Sequence, residues 1–140
     1  MKNALIKIKG TQGLGDDTSV VELSTLGTIE ECDGGYLLKY EENEMSENVK
    51  VYTTLSVRNE KCAVLERRGD VNSRLVITEG ERNNCIYQIP EGSMTLGIYG
   101  KSVKYDLSAT GGKITMQYTL DTNLQPLSEN TVEVTVEARD

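Results

Sequence analysis

The feature that most constrains this chain is alternation. From Lys113 to Leu120, "KITMQYTL", the apolar residues Ile114, Met116, Tyr118 and Leu120 fall on one face and Lys113, Thr115, Gln117 and Thr119 on the other. That is the period-2 pattern of a strand with one buried face. The pattern recurs along the chain, first in Ala4, Ile6 and Ile8, then in Val21, Leu23 and Ile29, then in Tyr36, Leu38 and Tyr40, and then in Val49, Val51, Leu55 and Val57. A strand at about 61 to 67 follows, then Leu75 and Ile77, then Cys85, Tyr87 and Ile89, then a long strand from about 93 to 107, and last Val132, Val134 and Val136. About ten strand-like runs result.

The breaks between runs carry turn chemistry. Asp33-Gly34 and Gly111-Gly112 supply residues that tolerate positive φ, Pro90-Glu91-Gly92 is a tight-turn sequence, and Asn59-Glu60 separates two strands. The apolar phase is even at Met94, Leu96 and Ile98 but odd at Val103, Tyr105 and Leu107, which predicts a bulge or bend near Gly100. "ENEMSEN" at 42–48 and "TNLQPLSEN" at 122–130 read as loops, and the glycine-rich "GTQGLGDD" reads as a turn, since it lacks the lysine and following helix of a phosphate-binding loop. A continuous chain of hairpins must protect its edges, by closure or by a two-layer sandwich, and its continuity favours closure. The expectation is one all-β domain spanning residues 1–140, an antiparallel up-and-down β-barrel of about eight to ten strands.

Composition then removes function classes. The chain has 140 residues and no His, which excludes Ser-His-Asp and Cys-His catalysis and His-bearing zinc sites. Its net charge of −7 argues against nucleic acid and against anionic membrane surfaces. No apolar run approaches a membrane span, and "MKNALIKIKG" alternates where a signal peptide would be continuously apolar, so a cytoplasmic protein is expected. Cys32, Cys62 and Cys85 are odd in number and never spaced as CxxC, which fits reduced thiols, Cys62 and Cys85 packing as small hydrophobes. The acidic run "YEENEMSEN" lacks the ligand spacing of a Ca²⁺ loop. No metal and no cofactor is expected. With 37% hydrophobic residues, no Trp, no Phe and seven Tyr, the interior should carry some polar tips.

The stretches "IKIKGTQ", "GGYLLKYEE", "ERRGDVNSRLVITEGERNNCIYQIPEGSMTLGI" and "GGKITMQYTLDTN" resemble the bacterial YwiB-like family, DUF1934, of small proteins of unknown function, over nearly the whole chain. The resemblance implies a lipocalin-like, calycin-type β-barrel and no activity. It marks Gly10, Thr11, Tyr40, Glu42, Thr54, Arg67, Gly69, Gly80, Tyr87, Gly92, Gly112, Tyr118 and Leu120, and departs from the family pattern at Gly100.

Candidate site residues follow from parity. Glu42 shares a face with Tyr40, Leu38 and Tyr36. Whether Arg67 or Arg68 points inward turns on the hairpin around Asn59-Glu60: a two-residue loop sends Glu66 and Arg68 inside, whereas a three-residue loop sends Ala63, Leu65 and Arg67 inside. Ala63 and Leu65 suit a core face, which favours Arg67. An inward Arg67 beside Glu42, with Tyr36, Tyr40, Tyr87 and Tyr118, would make either a polar pocket floor for a small anionic ligand or a buried ion pair plugging the barrel. No spacing selects a pair of catalytic carboxylates among Glu30, Glu31, Glu42 and Glu66. The leading expectation is a non-enzymatic barrel, monomer or homodimer, binding a small amphipathic or anionic molecule in its interior. A packed barrel acting as a protein-interaction module is the alternative, and an enzyme comes last.

Overall fold

The structure, a computed structural model, describes residues 2–14, 17–32, 34–42, 51–59, 61–69, 72–89 and 91–139. Ten strands make up the fold: β1 (Lys2–Leu14), β2 (Asp17–Cys32), β3 (Gly35–Glu42), β4 (Val51–Arg58), β5 (Cys62–Gly69), β6 (Asn72–Thr78), β7 (Arg82–Ile89), β8 (Gly92–Ser108), β9 (Gly111–Thr122) and β10 (Gln125–Arg139). Each pairs antiparallel with its sequence neighbours, and β1 also pairs with β10 from Asn3↔Arg139 to Gly13↔Glu129. The result is a closed up-and-down barrel without free ends to its sheet, the topology that the hairpin pattern predicts.

Alternation decides what goes inside. Ile6, Leu38, Leu55, Ile77, Ile98, Ile114, Met116, Val103 and Val134 are almost completely buried and form one core cluster. Each large aliphatic side chain removed from water in this way contributes about 1.5–3 kcal/mol. Because register is fixed all the way round, inward residues line up in cross-strand rows. Leu38, Leu55, Leu65 and Leu75 form one, and Tyr36, Val57, Ala63 and Ile77 another.

The phase change at Gly100 is a β-bulge: β8 pairs Gly100 with Tyr118 and then Ser102 with Gln117, skipping Lys101. Gly100 also accepts a close backbone approach. Gly80 N–H donates to the Gly100 carbonyl at 2.9 Å, Gly100 N–H to the Glu81 carbonyl at 3.1 Å, and a methyl group at position 100 would run into the Thr78 carbonyl oxygen. Here the end of β6 crosses to β8, so among the described residues β6 and β7 share only the pairs Asn72↔Gln88 and Ser73↔Tyr87. The Asn83 amide stands in for a missing ladder bond by donating to the Val76 carbonyl at 3.3 Å.

Two sequence expectations are corrected. The stretch 122–130 is not a loop: Asn123 and Leu124 (φ 50° and 68°) make a two-residue turn and β10 starts at Gln125, with a register shift between Pro126 and Ser128. The polar and proline content that suggests a loop is accommodated by that bulge and by an exposed strand start. Likewise, Gly10–Leu14 and Asp17 of "GTQGLGDD" continue the β1–β2 ladder, because hydrogen bonds from both neighbouring strands hold the glycines extended. Of the expected 42–48 loop only Glu42 is described, at the end of β3; residues 43–48, and Val49 of the fourth apolar run, lie outside the described residues.

On the outer face Arg82 grips Asp121 through two bonds, Nη2 to Oδ1 at 2.6 Å and Nε to Oδ2 at 3.1 Å, while Asp121 Oδ1 also accepts the Leu124 N–H at 3.2 Å. The pair passes over Gly97 of the intervening strand, where a side chain would collide with the guanidinium. The Arg82 hydrogen bond holds the Asp121 carboxyl below its ordinary pKa, helped by the turn N–H.

Two outcomes follow from this packing. Gly100→Ala should cost about 1–3 kcal/mol in urea unfolding, because the methyl must displace backbone and not a flexible side chain. A group whose folded pKa is depressed stabilises above its unfolded value of about 3.9 and loses that contribution as pH falls through its folded value. Asp121→Asn should therefore lower Tm near neutral pH and have progressively less effect in acid, as followed by circular dichroism.

Candidate functional site

The β4–β5 hairpin settles which arginine enters the barrel. Arg58 pairs with Cys62, leaving three residues between the strands, and Asn59 adopts the left-handed conformation at φ 56° with its N–H on the Gly34 carbonyl. Val57, Ala63, Leu55 and Leu65 then face inward, and Arg67 with them. Arg68 lies on the exposed face, where its Nε donates to Glu66 Oε1 at 2.7 Å.

Arg67 lies in a row with distinctive chemistry. Register runs Tyr40↔Thr53, Thr53↔Arg67, Arg67↔Ser73 and Ser73↔Tyr87, so five polar side chains stand side by side across β3 to β7. Thr53 and Ser73 are 1% and 7% exposed, and their hydroxyls make no hydrogen bond among the described residues. The Nε of Arg67 is buried as well. Thr53 was not singled out from sequence because Thr favours strands for steric reasons, yet its phase with Leu55 and Val57 already places a hydroxyl inside. Ser73 is legible in the same way from Leu75 and Ile77.

Beside this row the barrel holds a cavity of about 210 Å³. Ile8, Leu23, Leu55, Leu65, Met116 and Val134 give it aliphatic walls, and Tyr40, Arg67 and Tyr118 bring polar groups to it. Arg67 is the one charged residue among the described residues that line it. Gly10 explains part of the space. It occupies an inward position on β1 between Val21 and Val132, and a Cβ there would meet nothing within 4 Å. Tyr118 reaches the cavity from β9 on the opposite wall. Burial raises its pKa above the ordinary tyrosine value, and the positive charge of Arg67 works against that rise, so the two groups sense each other across the lumen.

The structure thus brings together Arg67, Tyr40 and Tyr118. Tyr87 belongs to the same row but sits beyond Ser73, off the cavity wall, and Tyr36 lies in a different row with Val57. Glu42 pairs with Val51 at the end of β3; its side chain lies outside the described residues. Among the described residues no group of His, Cys, Asp and Glu is placed to hold a metal ion. Cys85 is buried, which raises its thiol pKa, and Cys62 is half-buried, its sulfur 3.6 Å from the Thr78 hydroxyl.

These features define a class: a closed ten-stranded antiparallel barrel with a small, mostly aliphatic internal cavity and, among the described residues, a single arginine on its wall. The family model described as "Domain of unknown function (DUF1934)" matches residues 6–134, and the chain belongs to that family. Its fold is similar to that of the YwiB protein from Bacillus subtilis, with a TM-score of 0.88 and 21% identity, covering 99% of this chain and 93% of that one. No curated protein matches the chain.

If Arg67 faces Tyr118 as described, Arg67→Met should raise the Tyr118 pKa further, because a cation that favours the tyrosinate is lost. Titration of the tyrosine ring resonances by NMR checks this; an unchanged Tyr118 curve would separate the two groups.

Proposed function

We propose that this protein is a non-enzymatic binding barrel that holds a small amphipathic or anionic molecule in the cavity beside Arg67. The observation that carries the reading is the combination, around one cavity, of a guanidinium and two tyrosines with an otherwise aliphatic lining. Such a cavity offers an apolar tail a dry enclosure and an acceptor-rich head a charged donor, the usual division of labour in a ligand pocket. Gly10 supports the reading, since a glycine at an inward strand position leaves room where a side chain would complete the core.

Native mass spectrometry of the protein purified gently from its own host, before and after denaturation, tests this. A reproducible added mass that denaturation releases is expected. Arg67→Met should weaken retention by roughly ten- to hundredfold, the loss of a hydrogen-bonded charge contact. Gly10→Leu should exclude the ligand by filling the cavity while the anchor stays in place. A bare wild-type mass would overturn the reading, as would an added mass that both folded variants keep.

A further inference from the structure

Tyr118 lines the cavity from β9 and is only 7% exposed, yet among the described residues its hydroxyl has no hydrogen-bond partner. Register shows why. Its cross-strand neighbour on β8 is Gly100, which has no side chain, and its neighbour on β10 is Asn130, whose Nδ2 donates to Ser128 Oγ at 3.0 Å. Tyr40 and Arg67, the other polar side chains on the lining, are engaged in interactions of their own. Burial is the larger influence on the Tyr118 pKa and raises it, so at neutral pH the phenol is a protonated donor. A phenylalanine would pack in the same place without bringing an unpaired hydroxyl to a mostly aliphatic wall.

We propose that the Tyr118 hydroxyl anchors, as hydrogen-bond donor, the carbonyl oxygen of a small neutral ketone-like or ester-like molecule whose apolar body fills the rest of the cavity. The assignment rests on the cavity being a ligand site and goes beyond it in naming the anchoring atom and in choosing the neutral kind of ligand over the anionic. A phenol short of an acceptor is satisfied by one lone pair. A carbonyl oxygen supplies it and brings no proton of its own, whereas an alcohol or an amide carries an O–H or N–H into walls formed by Ile8, Leu23, Leu55, Leu65 and Met116.

Charge and size narrow the class. Arg67 is the one charged residue among the described residues that line the cavity, and it already has interactions of its own. An anion would therefore surrender its hydration to a largely aliphatic enclosure without a dedicated counter-ion, the costly form of charge burial. A neutral carbonyl gives up far less hydration and recovers a hydrogen bond from Tyr118. An apolar cavity of roughly 150 Å³ is enough to hold benzene. The volume of about 210 Å³ therefore takes a ring or short chain with a carbonyl head, and not a long acyl chain.

NMR titration with acetophenone, benzoate and α-methylstyrene tests the assignment, since the three share a shape and differ in a carbonyl, a carboxylate and a hydrocarbon head. Wild type should bind acetophenone more tightly than benzoate, by about tenfold. Tyr118→Phe should weaken acetophenone by about tenfold and leave α-methylstyrene unchanged or tighter, because only the ketone loses a hydrogen bond. If the variant fails to fold, the Tyr118 Cζ resonance of wild type decides the matter: saturating acetophenone should move it further than saturating α-methylstyrene does. Unchanged acetophenone affinity in the folded variant, equal losses for acetophenone and α-methylstyrene, or a Cζ resonance that responds alike to both, overturns Tyr118 as the anchor. Binding of benzoate as tight as that of acetophenone, or failure to bind acetophenone, overturns the neutral carbonyl class; an added mass retained from the host would still leave the cavity as a ligand site. Failure of wild type to bind any of the three, together with a bare mass from its host, removes the cavity reading and the anchor with it.

Discussion

Closure of β1 onto β10 is the constraint on which the rest of the molecule depends. Every other ladder between the ten strands joins neighbours in sequence, whereas Asn3↔Arg139 joins strands at opposite ends of the chain. With it in place no strand end of the meander is a bare sheet edge, and the parity of every strand is tied to that of the next. A one-residue slip anywhere would have to be undone before the ring could close, because it would expose Ile6, Val134 and Val136 and bury the lysines and glutamates between them. The bulges at Gly100–Ser102 and Pro126–Ser128 are where the wall absorbs such offsets without turning its apolar face outward.

This dependence explains why much of the fold is legible in the sequence. Alternation of Ile114, Met116 and Tyr118 reports a face directly, and the phase change from Ile98 to Val103 reports the bulge, since both are properties of single strands. Where the reading fails, non-local contacts have overridden local composition. Pro126, Ser128 and Asn130 look like loop residues, yet β9 and β1 supply ladders on both sides of this stretch of β10. Gly10 and Gly13 look like a turn for the same reason. The Arg67 orientation is intermediate: parity offers two registers, and the left-handed Asn59 within a three-residue loop selects one.

The candidate site was less legible than the fold, for a physical reason. A site in a barrel is built from residues that are neighbours across strands, and the row Tyr40, Thr53, Arg67, Ser73 and Tyr87 draws one residue from each of five strands. No spacing in sequence marks such a row; only register does. Charged and aromatic members attract notice, while Thr53 and Ser73 pass as ordinary strand residues until their burial is known. Gly10 contributes by what it lacks.

The ladders around the wall are very unequal. β1 and β2 are zipped from Lys2↔Ile29 to Leu14↔Asp17, while among the described residues β6 and β7 hold each other by two rungs next to Arg67 and by the Asn83 amide. Local opening proceeds where backbone hydrogen bonds are fewest. Among the described residues the barrel wall is therefore most weakly laddered along the β6–β7 line, where the end of β6 is tied instead to β8 through Gly100. The seam with the fewest rungs thus lies beside the row that carries Arg67, and hydrogen exchange should be fastest there among the ladders of the wall.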